Sequence, residues 1–187
     1  MGLGYGFLPA FISYAHSDNE SSDPALRWLD RLLEMMEPLK LMNSVHAWSD
    51  KEIRQGDAWS EQIQEHLYQH ARAAVLLVSP AFLASDFIRA SELPVLLQKY
   101  QLRAQEKRMR PMLIIPVILR PCLFDIARFN FPDPVAGPES ISLSVFQSAN
   151  SPSRPLDSMS RSEQDEVLLS VARRLHEAIS EERRDVR

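Results

Sequence analysis

A chain of 187 residues, 45% of them hydrophobic, is long enough to bury one substantial core and too short for two ordinary domains. A formal net charge of -4 excludes any general attraction to phosphate backbones or anionic lipid, so neither nucleic acid nor a membrane surface is an expected partner. The single cysteine, Cys122, excludes an intrachain disulfide and any CxxC metal or redox site, and it is expected as a packed thiol.

Phe7 to Tyr14 is a short apolar run that ends in the polar stretch His16-Ser17-Asp18-Asn19-Glu20, which predicts a buried first strand and its loop. Asp23-Pro24 offers an N-cap with proline at the first helical position, and Leu26, Leu29, Leu32, Leu33 and Met36 predict a helix to about Pro38. A weak strand, Val45 to Trp48, leads into the charged loop Ser49 to Asp57. Beyond it Trp59, Ile63 and Leu67 form the stripe of a second helix.

Ala73 to Val78 shows no polar alternation, as expected of a strand covered on both faces in a parallel sheet. Ala81 to Tyr100 has a helical pattern, but Pro94 removes a donor and crowds the carbonyl of Ala90, which predicts a kink or two short helices. Met112 to Leu119 is another buried strand. Pro116 within it predicts an edge position or a bulge.

Pro121 to Pro155 predicts a long excursion with one short strand near Ile141 to Phe146. Ser160 and Glu163 have capping-box spacing, and Leu168, Val171, Leu175 and Ile179 give the stripe of a last helix. Residues 1–180 are expected as a single domain and 181–187 as a frayed, charged tail. The apolar stretches are far shorter than the roughly 20 residues of a membrane span. Met1 to Pro9 lacks a secretory pattern, and Gly6 stands where a myristoylation motif requires Ser or Thr, so a cytoplasmic protein is expected.

Strands alternating with helices predict an α/β fold: a central parallel sheet with helices on both faces. Ligands of such sheets sit at the carboxyl ends of the strands. Those ends are Tyr14 to Ser17, Trp48 to Asp57 and Ser79 to Ser85.

Three segments carry a family resemblance: FISYAHSD at Phe11 to Asp18, WSDKEIRQGDAW at Trp48 to Trp59, and LLVSPAFLASDFIRASEL at Leu76 to Leu93. Together, in this order, they resemble a TIR (Toll/interleukin-1 receptor) domain, and among those domains the bacterial antiviral effectors that cleave NAD. The resemblance implies a flavodoxin-like three-layer sandwich. The second segment resembles the BB loop, which implies self-association through Lys51, Glu52, Ile53, Arg54, Gln55 and Gly56. The third carries, at Glu92, the glutamate of NAD-cleaving members. Ser13, Tyr14, Ala15 and His16, Trp48 and Asp50, and Ser79, Ser85 and Ile88 are the implied substrate-binding positions. At Ile88 many enzymatic members carry an aromatic residue. Implied partners are NAD+, other TIR domains in an oligomer or filament, and a fused or separate sensor domain.

One carboxylate suits this chemistry. Nicotinamide leaves NAD+ as a neutral group from an anomeric carbon, so no acid is needed. A carboxylate can stabilise the oxocarbenium-like transition state and hold the ribose hydroxyls. NAD+ is then a substrate to be consumed, and no cofactor or metal is expected. The sequence contains no GxGxxG, Walker A or GxSxG motif around its serines.

Composition alone makes Glu92 a solvated helix glutamate, and the motif reverses that preference. Trp59 is expected in the core, while Trp48 suits either core or pocket. His66 and His70 have zinc-ligand spacing but no third ligand beside them. A receiver-like phosphoacceptor domain would need an aspartate where Ser79-Pro80 ends the central strand. The remaining alternative to an NAD+ glycohydrolase or cyclase, acting in immune defence or cell-death signalling, is a non-catalytic scaffold that works by homotypic TIR association.

Overall fold

The computed structural model describes residues 8–49, 71–105, 111–130 and 140–185. Four parallel strands, β1 (Leu8–Tyr14), β2 (Val45–Trp48), β3 (Ala73–Val78) and β4 (Leu113–Ile118), form a sheet in the order β2-β1-β3-β4. Every residue of β1 and β3 is buried, as predominantly apolar strands in a doubly covered sheet should be. Pro116 lies in β4, the edge strand beyond β3 among the described residues, in the position expected for it. Its carbonyl accepts from Ala149 N at 2.7 Å, so the proline nitrogen also faces away from β3, where no sheet bond is lost.

Alternate side chains divide the core between the two faces. On one face Leu8, Ala10, Ile12, Val75, Leu77 and Val117 pack against helix α1 (Trp28–Leu41) and the last helix (Arg161–Asp185). On the other, Phe11, Ala74, Leu76, Val78 and Ile118 meet α2 (Pro80–Ala84), a π turn (Ile88–Glu92) and α3 (Leu93–Gln105), so that the last helix is α4. The result is the expected three-layer α/β sandwich with flavodoxin-like strand order.

The helices depart from expectation at their ends. Asp23 caps only a 3-10 turn, Pro24–Leu26, with its Oδ1 accepting from Ala25 N at 2.9 Å, and α1 begins at Trp28. It then runs through Pro38 to Leu41, because a proline near a helix end forfeits a single backbone bond. The stop is Asn43 at φ 49, the left-handed residue of a Schellman motif. There Asn43 N donates to Lys40 O at 3.0 Å and Ser44 N to Leu39 O at 2.9 Å.

Among its described residues the excursion after β4 holds two short strands, β5 (Phe129–Asn130) and β6 (Ser140–Ile141), paired antiparallel. The single strand expected near Ile141 to Phe146 is thus shorter, and Leu143–Val145 instead forms a 3-10 turn begun by the Ser142 hydroxyl, which accepts from Ser144 N at 3.2 Å. The capping box forms as its spacing predicts. Glu163 Oε2 accepts from Ser160 N at 2.9 Å, and Ser160 Oγ accepts from Glu163 N at 3.4 Å. From there α4 continues past Glu181 to Asp185. No helix among the described residues is long and apolar enough to cross a membrane.

Candidate active site

In this strand order the chain turns one way from β1, to the neighbouring β2, and β3 then lies on β1's other side. The crevice beyond the carboxyl ends of β1 and β3 is the topological switch point, where open parallel sheets bind ligands. Two serine–carboxylate couples span it.

The first couple joins Ser13 to Glu92. Ser13 lies near the end of β1, fully buried, on the same face as Phe11 and Ala15. Glu92 ends the π turn and is only 2% exposed, and the Ser13 hydroxyl donates to its Oε2. The turn follows from the sequence around it. Pro94 has no N–H for the carbonyl of Ala90, and just before it Leu93 N reaches back to Ile88 O, five residues away. The kink expected at Pro94 is therefore this widened turn, with a first break at Ser85.

The second couple mirrors the first. Ser79, at the end of β3, donates from Oγ to Asp18 Oδ2 at 2.5 Å, and Asp18 belongs to the loop after β1. The same oxygen accepts from Phe82 N at 3.0 Å and so caps α2. Burial pushes the Asp18 carboxyl above its ordinary value. The Ser79 hydrogen bond and the charge of Arg120 pull the other way.

The remaining positions surround these couples unevenly. Tyr14 and Ala15 are buried, whereas His16 is exposed, with its ring centroid 5.3 Å from that of Tyr14. Trp48, half-buried, packs against Phe11 at 4.6 Å between centroids, so it walls the Glu92 face of the core. Ile88 is buried in that core, and Ile88 N donates to the Ser85 hydroxyl at 3.3 Å. Asp50, the BB-loop residues Lys51 to Gly56, Trp59, His66 and His70 lie outside the described residues.

Ser13 and Ser79, both expected to touch substrate, are 0% exposed, and each donates to a carboxylate. The sequence signalled Asp18 only as part of the polar loop after the first strand and the end of its first family-like segment, and it indicated nothing of the residue's burial. A cleft of about 350 Å³ opens at the amino ends of the strands, between Leu8, Arg72, Leu113 and Arg174. That end of a parallel sheet lies opposite the one where ligands bind. Burial also pushes the Cys122 thiol upward, away from reactivity.

A family model described as "TIR domain" matches residues 10–147. The chain belongs to the TIR-domain family. The match runs from β1 through the π turn and α3 to the short strands, and so takes in both couples of this TIR domain. A search of curated proteins finds no match.

Proposed function

We propose that this TIR domain cleaves the nicotinamide–ribose bond of NAD+, with Glu92 as the catalytic carboxylate. The observation that carries the reading is a glutamate only 2% exposed at the carboxyl ends of β1 and β3, supported by a hydroxyl from the sheet. A buried carboxylate is costly, and one kept at the strand ends where parallel sheets bind ligands, within the family-like segment, suits a catalytic role. In a water-poor site the same charge acts strongly on a developing oxocarbenium ion. Departing nicotinamide needs no proton, so Glu92 alone supplies the main electrostatic element, and water or an atom of the adenine ring completes the reaction as ADP-ribose or a cyclic isomer.

Because Glu92 is so little exposed, ribose hydroxyls reach it only after its neighbours move aside. TIR domains commonly associate with one another, and assembly through the Lys51 to Gly56 segment is the event we assign to that opening. The resemblance to bacterial effectors suggests a cytoplasmic role in defence, through loss of NAD+ or production of a nucleotide signal.

Nicotinamide release by the purified chain, measured over a wide protein-concentration range beside Glu92→Gln, tests the reading. Release that climbs steeply with concentration and falls to a measurable trace in the variant is the expected result. Equal silence of both proteins, with oligomers formed, would establish the scaffold instead.

A further inference from the structure

We infer that Ser13 is a positioning residue for Glu92: its hydroxyl fixes the carboxylate in the orientation that faces the substrate ribose. The inference rests on the reading of Glu92 as catalytic. It gives Ser13 a different role from the substrate contact suggested by its place in the sequence.

The face that β1 turns towards the π turn carries Pro9, Phe11 and Ser13, so the serine is the one polar side chain among apolar neighbours. A hydroxyl at 0% exposure loses its hydration completely and recovers it only through a partner, and that partner is Glu92 Oε2, 79 residues away. An alanine would pack the same space without that requirement. A serine at this position is therefore accounted for by the carboxylate, not by the core.

The mechanics also favour positioning. A glutamate has three side-chain torsions, and Glu92 sits on a π turn, where backbone bonding is least regular. Ser13 has one torsion before its oxygen and lies in a strand paired with β3, where it stands opposite Leu76. The rigid partner therefore sets the place of the flexible one. As Ser13 takes one Glu92 oxygen, the orientation of the other follows from the planarity of the carboxylate.

The test uses the full chain and the variants Ser13→Ala, Ser13→Thr and Glu92→Gln. Ser13→Ala should lower kcat on the order of tenfold to a hundredfold while KM stays within about twofold, because misorientation weakens the transition state more than binding. Ser13→Thr, which keeps the hydroxyl and suits a strand, should recover most of the loss. Adding Ser13→Ala to Glu92→Gln should cost little more, since both act through one group. A reading independent of activity is the carboxyl carbon resonance of Glu92, identified by its loss in Glu92→Gln. It should move in Ser13→Ala and return in Ser13→Thr.

Wild-type kcat in Ser13→Ala, or an unmoved resonance, would overturn the inference. So would a loss that Ser13→Thr fails to recover and that adds fully to Glu92→Gln. A wild-type chain that never cleaves NAD+, with a resonance that moves as described, would overturn the NAD-cleaving function and leave the hold of Ser13 on Glu92 standing.

Discussion

Ser79 holds Asp18 from across the sheet: its Oγ donates to Asp18 Oδ2 at 2.5 Å while accepting from Phe82 N at 3.0 Å. One hydroxyl thus fixes both the loop after β1 and the helix after β3, on either side of the switch-point crevice. Ser13 and Glu92 repeat the arrangement with the strands exchanged, a serine of β1 holding a carboxylate that follows β3. The two loops that frame the site are therefore tied to opposite strands.

Replacing Ser79 by alanine should destabilise the fold in a pH-dependent way. Loss of the cap costs about 1 kcal/mol at any pH. Asp18 adds the pH dependence. Its folded value is raised above the ordinary 3.8 by burial, so the folded state retains the proton longer, and stability falls as pH rises from that value through the raised one. Above the window the buried carboxylate is charged and most in need of its donor. Thermal melts should show a larger Ser79→Ala deficit at pH 7 than at pH 4. Asp18→Asn, which never ionises, should lack the fall. A deficit that does not vary with pH would contradict the role given to Asp18.

Arg31 ties the two helices of the opposite face together. It is 5% exposed, donating through Nη2 to Asp165 Oδ1 at 2.7 Å and through Nη1 to Gln164 Oε1 at 2.7 Å and Ala25 O at 2.9 Å. Its guanidinium also lies 4.9 Å from the Trp28 ring centroid. Arg31→Ala should cost about 2 kcal/mol in urea denaturation, through the lost hydrogen bonds of a charged group, and Arg31→Lys should recover less than half, since an ammonium lacks the planar fork. The hydrogen bond from Arg31 also holds the Asp165 carboxyl below its ordinary value. That part of the stability is present above the ordinary value and lost as pH falls through the depressed one. Arg31→Ala should flatten this acid-side loss.

β1, β3 and β4 were legible because each is a predominantly apolar run, and the start of α4 because a capping box is a purely local device. The ends of α1 were not. Whether Pro38 stops a helix depends on how near the end it falls, and the stop itself required Asn43 at positive φ. Nor did the sequence reveal that Asn150 pairs with β4, its Oδ1 accepting from Ile118 N at 2.9 Å and its Nδ2 donating to Ile118 O at 3.0 Å. At the site, motif order marked Glu92. The direction of the Ser13 hydroxyl depends on a contact between distant segments, which no local pattern encodes.

Pro94 offers a test of how the backbone aims Glu92. Pro94→Ala supplies a donor for the carbonyl of Ala90, which allows the segment from Ile88 to close as a regular helix and turns Glu92 relative to β1. Alanine is also the better helix former, so the melting temperature should hold or rise. NAD+ cleavage should nonetheless fall on the order of tenfold, because a carboxylate displaced by even about 1 Å stabilises the reacting ribose poorly. The comparison separates two causes of the π turn. A stable variant with reduced cleavage would place the cause in the missing N–H. A stable variant with full cleavage would place it in the packing of Ile88 and Leu93 against Leu76 and Val78, which Pro94→Ala leaves untouched.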